Sequence, residues 1–282
     1  MKTRLSAILS LTLALVGAAT RAGESRIELG GELNARWLTP ETGWSGRAVL
    51  ILHGFASDSE GPANSQRRLA EALAARGIAS LRINFRGEGD SARTAIESTF
   101  DGRLADTETA RRWMLARPGA DPARLGAFGW SLGGATALGA AGAHPDAFRA
   151  VVLWSSVTGD AHAIMTGGDL AATAAQAEST GVGVREIVGW KTVTLRREFF
   201  ASFKGVDLDD ALARHAGKFL SVRGSADYLP RREAEILQLA KGRPAEAVLI
   251  GGADHIFNVF EPASGHFDHA VRVTVDWLDR EL

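Results

Sequence analysis

The chain has 282 residues, 45% of them hydrophobic and 23% charged, with a formal net charge of -1. That composition fits one globular domain with a sizeable core, and near-neutral charge with scattered Lys and Arg excludes the clustered basic surface that nucleic-acid phosphates require. The absence of cysteine excludes disulfides, thiolate metal sites, a cysteine nucleophile and a lipid-anchoring cysteine.

Residues 1–22 read as a signal peptide. Lys2 and Arg4 give a positive start, Leu5 to Ala19 is apolar but short for a membrane span, and small residues near Ala19 or Ala22 offer cleavage sites. A periplasmic or secreted protein is expected, with an uncleaved anchor as the alternative. No second apolar run of membrane length follows, so no membrane span is expected in the mature chain.

Arg26 to Leu29 and Glu32 to Leu38 alternate around Gly30-Gly31 and predict an antiparallel hairpin. Ala48 to Leu52 is a short all-apolar run, the pattern of a strand buried on both faces, and it ends in His53-Gly54-Phe55. A helix is predicted over Asn64 to Arg76, a strand over Ile78 to Phe85, and another helix from Leu104 to Ala116. Leu125 to Trp130 and Ala150 to Trp154 read as further buried strands, with a Gly- and Ala-rich helix between them from Gly133 to Ala143. Alternating strands and helices imply a mostly parallel sheet flanked by helices. From Ser155 to Gly217 no short apolar strand is evident, and the segment is too long for a simple connection. It reads as an inserted cap, about residues 155–217, with its own helices, inside a domain spanning residues 23–282. The strand–helix alternation resumes with strands at Lys218 to Arg223 and Ala247 to Ile250, a helix over Arg231 to Ala240 between them, and a closing helix from Val271 to Leu282.

Gly129-Trp130-Ser131-Leu132-Gly133 matches the G-x-S-x-G nucleophile elbow, a sharp strand-to-helix turn that exposes the serine hydroxyl. A serine needs a base to take its proton and a carboxylate to orient that base. Asp227 follows one late strand and His255 follows the next, in the order Ser131, Asp227, His255 that this elbow requires. Asp254 is the rival acid, but neighbouring side chains in an extended loop point apart. His266 and His269 start the last helix and are weaker bases. His53 is expected to bond loop backbone rather than react. Oxyanion donors are expected from the backbone N–H of Leu132 and of Phe55, with Ala56 as the fallback. Trp130, Phe199, Phe200 and Phe203 are candidate pocket residues, although the three phenylalanines equally suit the underside of a cap. Arg86, in the loop from Phe85 to Ser91, is expected in a buried ion pair.

Taken together, Gly129-Trp130-Ser131-Leu132-Gly133-Gly134, His53-Gly54-Phe55, Phe85 to Ser91, Gly224-Ser225-Ala226-Asp227 and Ala253-Asp254-His255 resemble the α/β-hydrolase superfamily over about residues 26–282. Within it, the His-Gly-Phe loop and the cap resemble the cinnamoyl or feruloyl esterase and dienelactone-hydrolase-like branches. The resemblance implies an α/β-hydrolase fold, a Ser131-His255-Asp227 triad, an oxyanion hole at Phe55 and Leu132, no cofactor and no metal. The expected activity is hydrolysis of a small-molecule carboxylic ester through an acyl-enzyme. Thioesterase, acyltransferase or peptidase activity would use the same groups, and a non-catalytic binding module on this fold is the alternative of another class.

Overall fold

Ala48–Leu52, Ala79–Ile83, Leu125–Trp130 and Ala150–Trp154 are buried at every position, as strands must be when helices cover both faces of their sheet. A computed structural model describes residues 23–282 apart from Glu32, Thr42, Ser91 and Ala92. The predicted signal peptide, residues 1–22, lies outside the described residues. The chain begins with the antiparallel pair β1 (Gly23–Leu29) and β2 (Leu33–Thr39), in register from Gly23 opposite Thr39 to Leu29 opposite Leu33. It continues through β3 (Ala48–Leu52), α1 (Ser65–Ala74), β4 (Ala79–Ile83), the short β5 (Ala95–Ile96), α2 (Phe100–Leu115), β6 (Leu125–Trp130), α3 (Leu132–Ala143) and β7 (Ala150–Trp154).

Residues 155–217 separate β7 from the next strand of the main sheet. They hold α4 (Ala161–Thr166), α5 (Ala171–Thr180), the antiparallel hairpin β8 (Val182–Ile187) and β9 (Lys191–Arg196), α6 (Arg197–Ala201) and α7 (Leu208–Arg214). The two strands correct the expectation of a strandless segment. Their burial alternates rather than running continuously, because the hairpin is covered on one face only. β5 joins it to make a three-stranded sheet. The chain closes with β10 (Lys218–Gly224), α8 (Glu233–Leu239), β11 (Ala245–Ile250) and α9 (His266–Glu281).

The main sheet has eight strands in the order β1-β2-β4-β3-β6-β7-β10-β11, parallel from β4 onward. Side chains alternate across it, as the period of a strand demands. Val49, Ile51, Phe128, Trp130, Val152, Trp154 and Val222 belong to the core shared with α1 and α9, whereas Leu50, Leu52, Ala127, Val151 and Leu153 belong to the core shared with α2, α3 and the inserted segment. Because β6, β10 and β11 all run in one direction, the loops that follow them gather at one edge of the sheet, where open α/β sheets bind ligands. Among the described residues no helix is long and apolar enough to cross a membrane.

Candidate active site

β6 ends at Trp130 and α3 begins at Leu132, so Ser131 stands alone at the bend with φ +54° and ψ -117°. A non-glycine residue held at such angles costs roughly 1–3 kcal/mol, which neighbouring contacts must offset. Ser131 N donates to Trp154 O at 2.8 Å, and Ser131 O accepts from Gly134 N at 2.9 Å. The flanking glycines are sterically required: a Cβ on Gly129 would strike the carbonyl of Gly133, and one on Gly133 would strike that of Leu52.

β10 delivers Asp227 and β11 delivers His255 to the same edge. His255 Nε2 lies 3.0 Å from Ser131 Oγ, and His255 Nδ1 lies 2.8 Å from Asp227 Oδ1. With Nδ1–H donating to the carboxylate, Nε2 is left as the acceptor facing the hydroxyl. The Asp227 side chain is fully buried. Burial pushes its carboxyl up, but the hydrogen bond and charge of His255, the Leu229 amide and Arg223 together outweigh this and hold it below the usual carboxylate value. Leu229 N donates to Asp227 Oδ1 at 3.0 Å, and Arg223 Nε stands 3.4 Å from Oδ2. The rival Asp254 is engaged elsewhere: its Oδ1 accepts from Ile256 N at 2.9 Å and Asn258 N at 2.7 Å, shaping the turn that carries His255. His266 and His269 lie in α9, and His266 Nδ1 is 2.9 Å from Asn258 Oδ1.

The loop after β3 lies beside the elbow. Gly54 passes so close that a Cβ there would come within 3.2 Å of Trp130 O. His53 bonds backbone as expected, with Nδ1 2.8 Å from Gly54 O and Nε2 3.3 Å from Phe85 N. Burial pushes its pKa down to about 4, with Arg103 adding to the effect and Glu88 opposing it, so the ring is neutral at pH 7. Ala56, the fallback donor, is excluded because its N–H is already given to Glu88 Oε1 at 2.7 Å. Leu132 opens α3, so its N–H lies in the first turn, where a helix offers no internal acceptor.

A family model described as serine aminopeptidase, S33, matches residues 45–187, a span that contains the loop after β3, the elbow and about half of the inserted segment. The chain belongs to this α/β-hydrolase family. Two uncharacterized proteins from strains of Mycobacterium tuberculosis are each 30% identical to this chain over 220 residues, 78% of it and 66% of theirs. The chain thus spans just under two thirds of the length of these curated relatives. Among solved structures, Est1E from Butyrivibrio proteoclasticus superposes with a TM-score of 0.68 at 19% identity, covering 92% of this chain and 99% of that one. Dienelactone hydrolase from Anabaena variabilis gives 0.63 at 21% identity over 93% of this chain and all of that one, and an esterase domain from a Rhodothermus marinus protein gives 0.65 at 23% over 93% and 99%. At these identities the likeness is one of fold, and both branches named from the motifs are among the structural neighbours.

The four expected pocket residues are all buried. Trp130 is almost fully buried: its parity along β6 places it in the core shared with α1 and α9, where its ring lies 5.4 Å from Trp154 and 6.0 Å from Phe257. From there Nε1 donates to His255 O at 3.2 Å, so Trp130 supports the histidine loop from behind. Phe200 and Phe203 are buried core residues within the inserted segment, and Phe203 packs 5.3 Å from Phe100. Phe199 is equally buried, but its ring reaches 5.7 Å from Phe55. Arg86 pairs with the buried Asp106, although the guanidinium itself is half exposed.

Three aromatic residues that the sequence did not single out stand near the loop after β3 and His255. Trp190, at the tip of the β8–β9 hairpin, is 44% exposed and donates from Nε1 to Ala56 O at 3.3 Å. Phe260 lies 6.4 Å from it, and Tyr228 covers the His255 ring at 4.4 Å. An aromatic side chain is the one sequence-visible trait they share, and their exposure and grouping depend on long-range folding. Glu88 and Arg103 were also missed. Arg103 falls on the buried stripe of α2 with Phe100, Thr107, Ala110 and Met114, and a charge on such a stripe was the available signal.

Proposed function

We propose that the protein is a serine-dependent carboxylic ester hydrolase working through an acyl-enzyme. The reading rests on one observation above others: the imidazole of His255 bridges Ser131 Oγ at 3.0 Å and the buried carboxylate of Asp227 at 2.8 Å. In this mechanism Ser131 Oγ attacks the ester carbonyl as its proton passes to His255 Nε2, and Asp227 orients and stabilises the imidazolium. The backbone N–H groups of Phe55 and Leu132 hold the oxyanion. Collapse of the tetrahedral intermediate sends the proton from His255 to the leaving alcohol. Water, activated by the same imidazole, then releases the acid and regenerates Ser131.

The description of the matching family favours a second reading, hydrolysis of a peptide bond by the same three residues. A panel of aryl esters, alkyl esters, thioesters and aminoacyl anilides separates the two. The ester reading expects the largest kcat/KM on esters, with a pre-steady-state burst of alcohol equal to the enzyme concentration on an activated aryl ester. Preferred cleavage of the anilides would replace it with the peptidase reading. The reading also takes residues 1–22 as an export signal, placing the enzyme in the periplasm or outside the cell, and fractionation of cells making the full chain tests this.

A further inference from the structure

We propose that the buried pair Glu88–Arg103 positions the oxyanion donors at Phe55 and Leu132, an inference that rests on the ester-hydrolase reading. Arg103 directs its guanidinium to three separate elements. Nη1 donates to Glu88 Oε2 at 2.6 Å, Nη2 to His53 O at 2.6 Å and Nε to Thr136 Oγ1 at 3.0 Å. Thr136 in turn donates to Leu132 O at 2.9 Å, the first residue of α3. Glu88 uses its other oxygen to accept from Ala56 N at 2.7 Å, and Ser98 Oγ donates to Oε2 at 2.8 Å. One carboxylate and one guanidinium therefore grip the chain on both sides of Phe55, at His53 O and Ala56 N, and tie that loop to the opening turn of the nucleophile helix.

Both side chains are essentially inaccessible to solvent, and the Arg103 guanidinium also lies 3.8 Å over the Phe85 ring. A buried ion pair is a weak source of stability, since an apolar replacement of similar volume often serves as well. Its distinctive property is the fixed fork of the guanidinium, which sets angles as well as distances. Neither residue touches the reacting atoms, so both are positioning residues. Lysine at position 103 would keep the charge facing Glu88 but cannot reach three acceptors in one plane.

The test compares wild type with Arg103→Lys and with the apolar double variant Glu88→Met/Arg103→Met. Four quantities are read: melting temperature, sites titrated by a fluorophosphonate, steady-state ester kinetics with boronate inhibition per titrated site, and hydrogen exchange of the peptide covering residues 50–58. Partial loss of oxyanion donors should lower kcat per titrated site by about 10- to 100-fold and weaken boronate binding in parallel. KM should stay within about twofold, and the loop amides should exchange faster. A merely structural role would reduce melting temperature and the number of titrated sites while leaving kcat per site, boronate affinity and loop exchange unchanged, and that result in a folded variant overturns the proposal. If wild type neither titrates nor hydrolyses esters, the ester-hydrolase reading fails instead. Loop exchange then decides the positioning claim by itself, since unchanged exchange in the variants overturns it.

Discussion

Acidification should destabilise the protein through His53, a residue outside the reacting group. Folding buries this imidazole completely and lowers its pKa from 6.5 to about 4, so the unfolded chain binds a proton that the folded chain refuses. The sign follows from linkage: stability is greatest above pH 6.5 and is lost as pH falls toward 4, because the unfolded state carries more protons throughout that window. With those two values, the loss from this single group is about 2 kcal/mol at pH 5 and about 3 kcal/mol at pH 4. The geometry gives the same direction, because a proton on Nε2 would face the Phe85 amide 3.3 Å away and forfeit that bond. The comparison is with His53→Asn, which keeps a short amide near Gly54 O and does not titrate. The variant should be less stable than wild type at pH 7.5 by about 1–3 kcal/mol, for the lost ring packing. Urea unfolding of both proteins between pH 7.5 and 4 isolates the His53 contribution, since the carboxylates common to both cancel in the difference. The stability gap should shrink or reverse by about 3 kcal/mol across the range. Two curves that stay parallel would refute the reasoning.

The acid is tested by a pair of substitutions. Asp227→Asn should reduce kcat by about 10³- to 10⁴-fold with the fold retained, because an amide cannot hold the imidazole in the reactive tautomer. Asp254→Asn removes the rival charge but keeps an oxygen that can accept from Ile256 N and Asn258 N, so the turn is retained and the ester kinetics should fall by about tenfold or less. Equal losses would contradict the division of roles. Trp130→Phe should lower the melting temperature, since Trp130 packs against Trp154 and Phe257, yet KM across a series of acyl chain lengths should keep its wild-type order. A reordered acyl preference would return Trp130 to the substrate pocket.

Much of this architecture is legible in the chain because its signals are local. Ala48–Leu52, Leu125–Trp130 and Ala150–Trp154 announce themselves as continuous apolar runs, and the residues just beyond such runs are the ones that meet at the sheet edge. Ser131, Asp227 and His255 each stand within a few residues of the end of such a strand, and that placement is visible in the sequence. The same strand period places Trp130 with Phe128, on the face of the sheet that packs against α1 and α9. The β8–β9 hairpin is half exposed and mixes apolar with polar residues along both strands, so no continuous apolar run marks it. Arg103 and Glu88 are a different kind of omission. Fifteen positions apart, they meet only because α2 packs beneath the loop after β4, and no spacing rule encodes that encounter. Trp190 is more remote still, since its bond to Ala56 O joins residues 134 positions apart.

The central claim is that Ser131 is the nucleophile, and covalent labelling tests it most directly. A fluorophosphonate probe should modify wild type at one site, with the mass shift on the peptide carrying Ser131, and should leave folded Ser131→Ala unmodified. Ester turnover should be lost in the same variant. A Ser131→Ala protein that is still labelled, or a wild-type adduct mapped to another residue, would contradict the account.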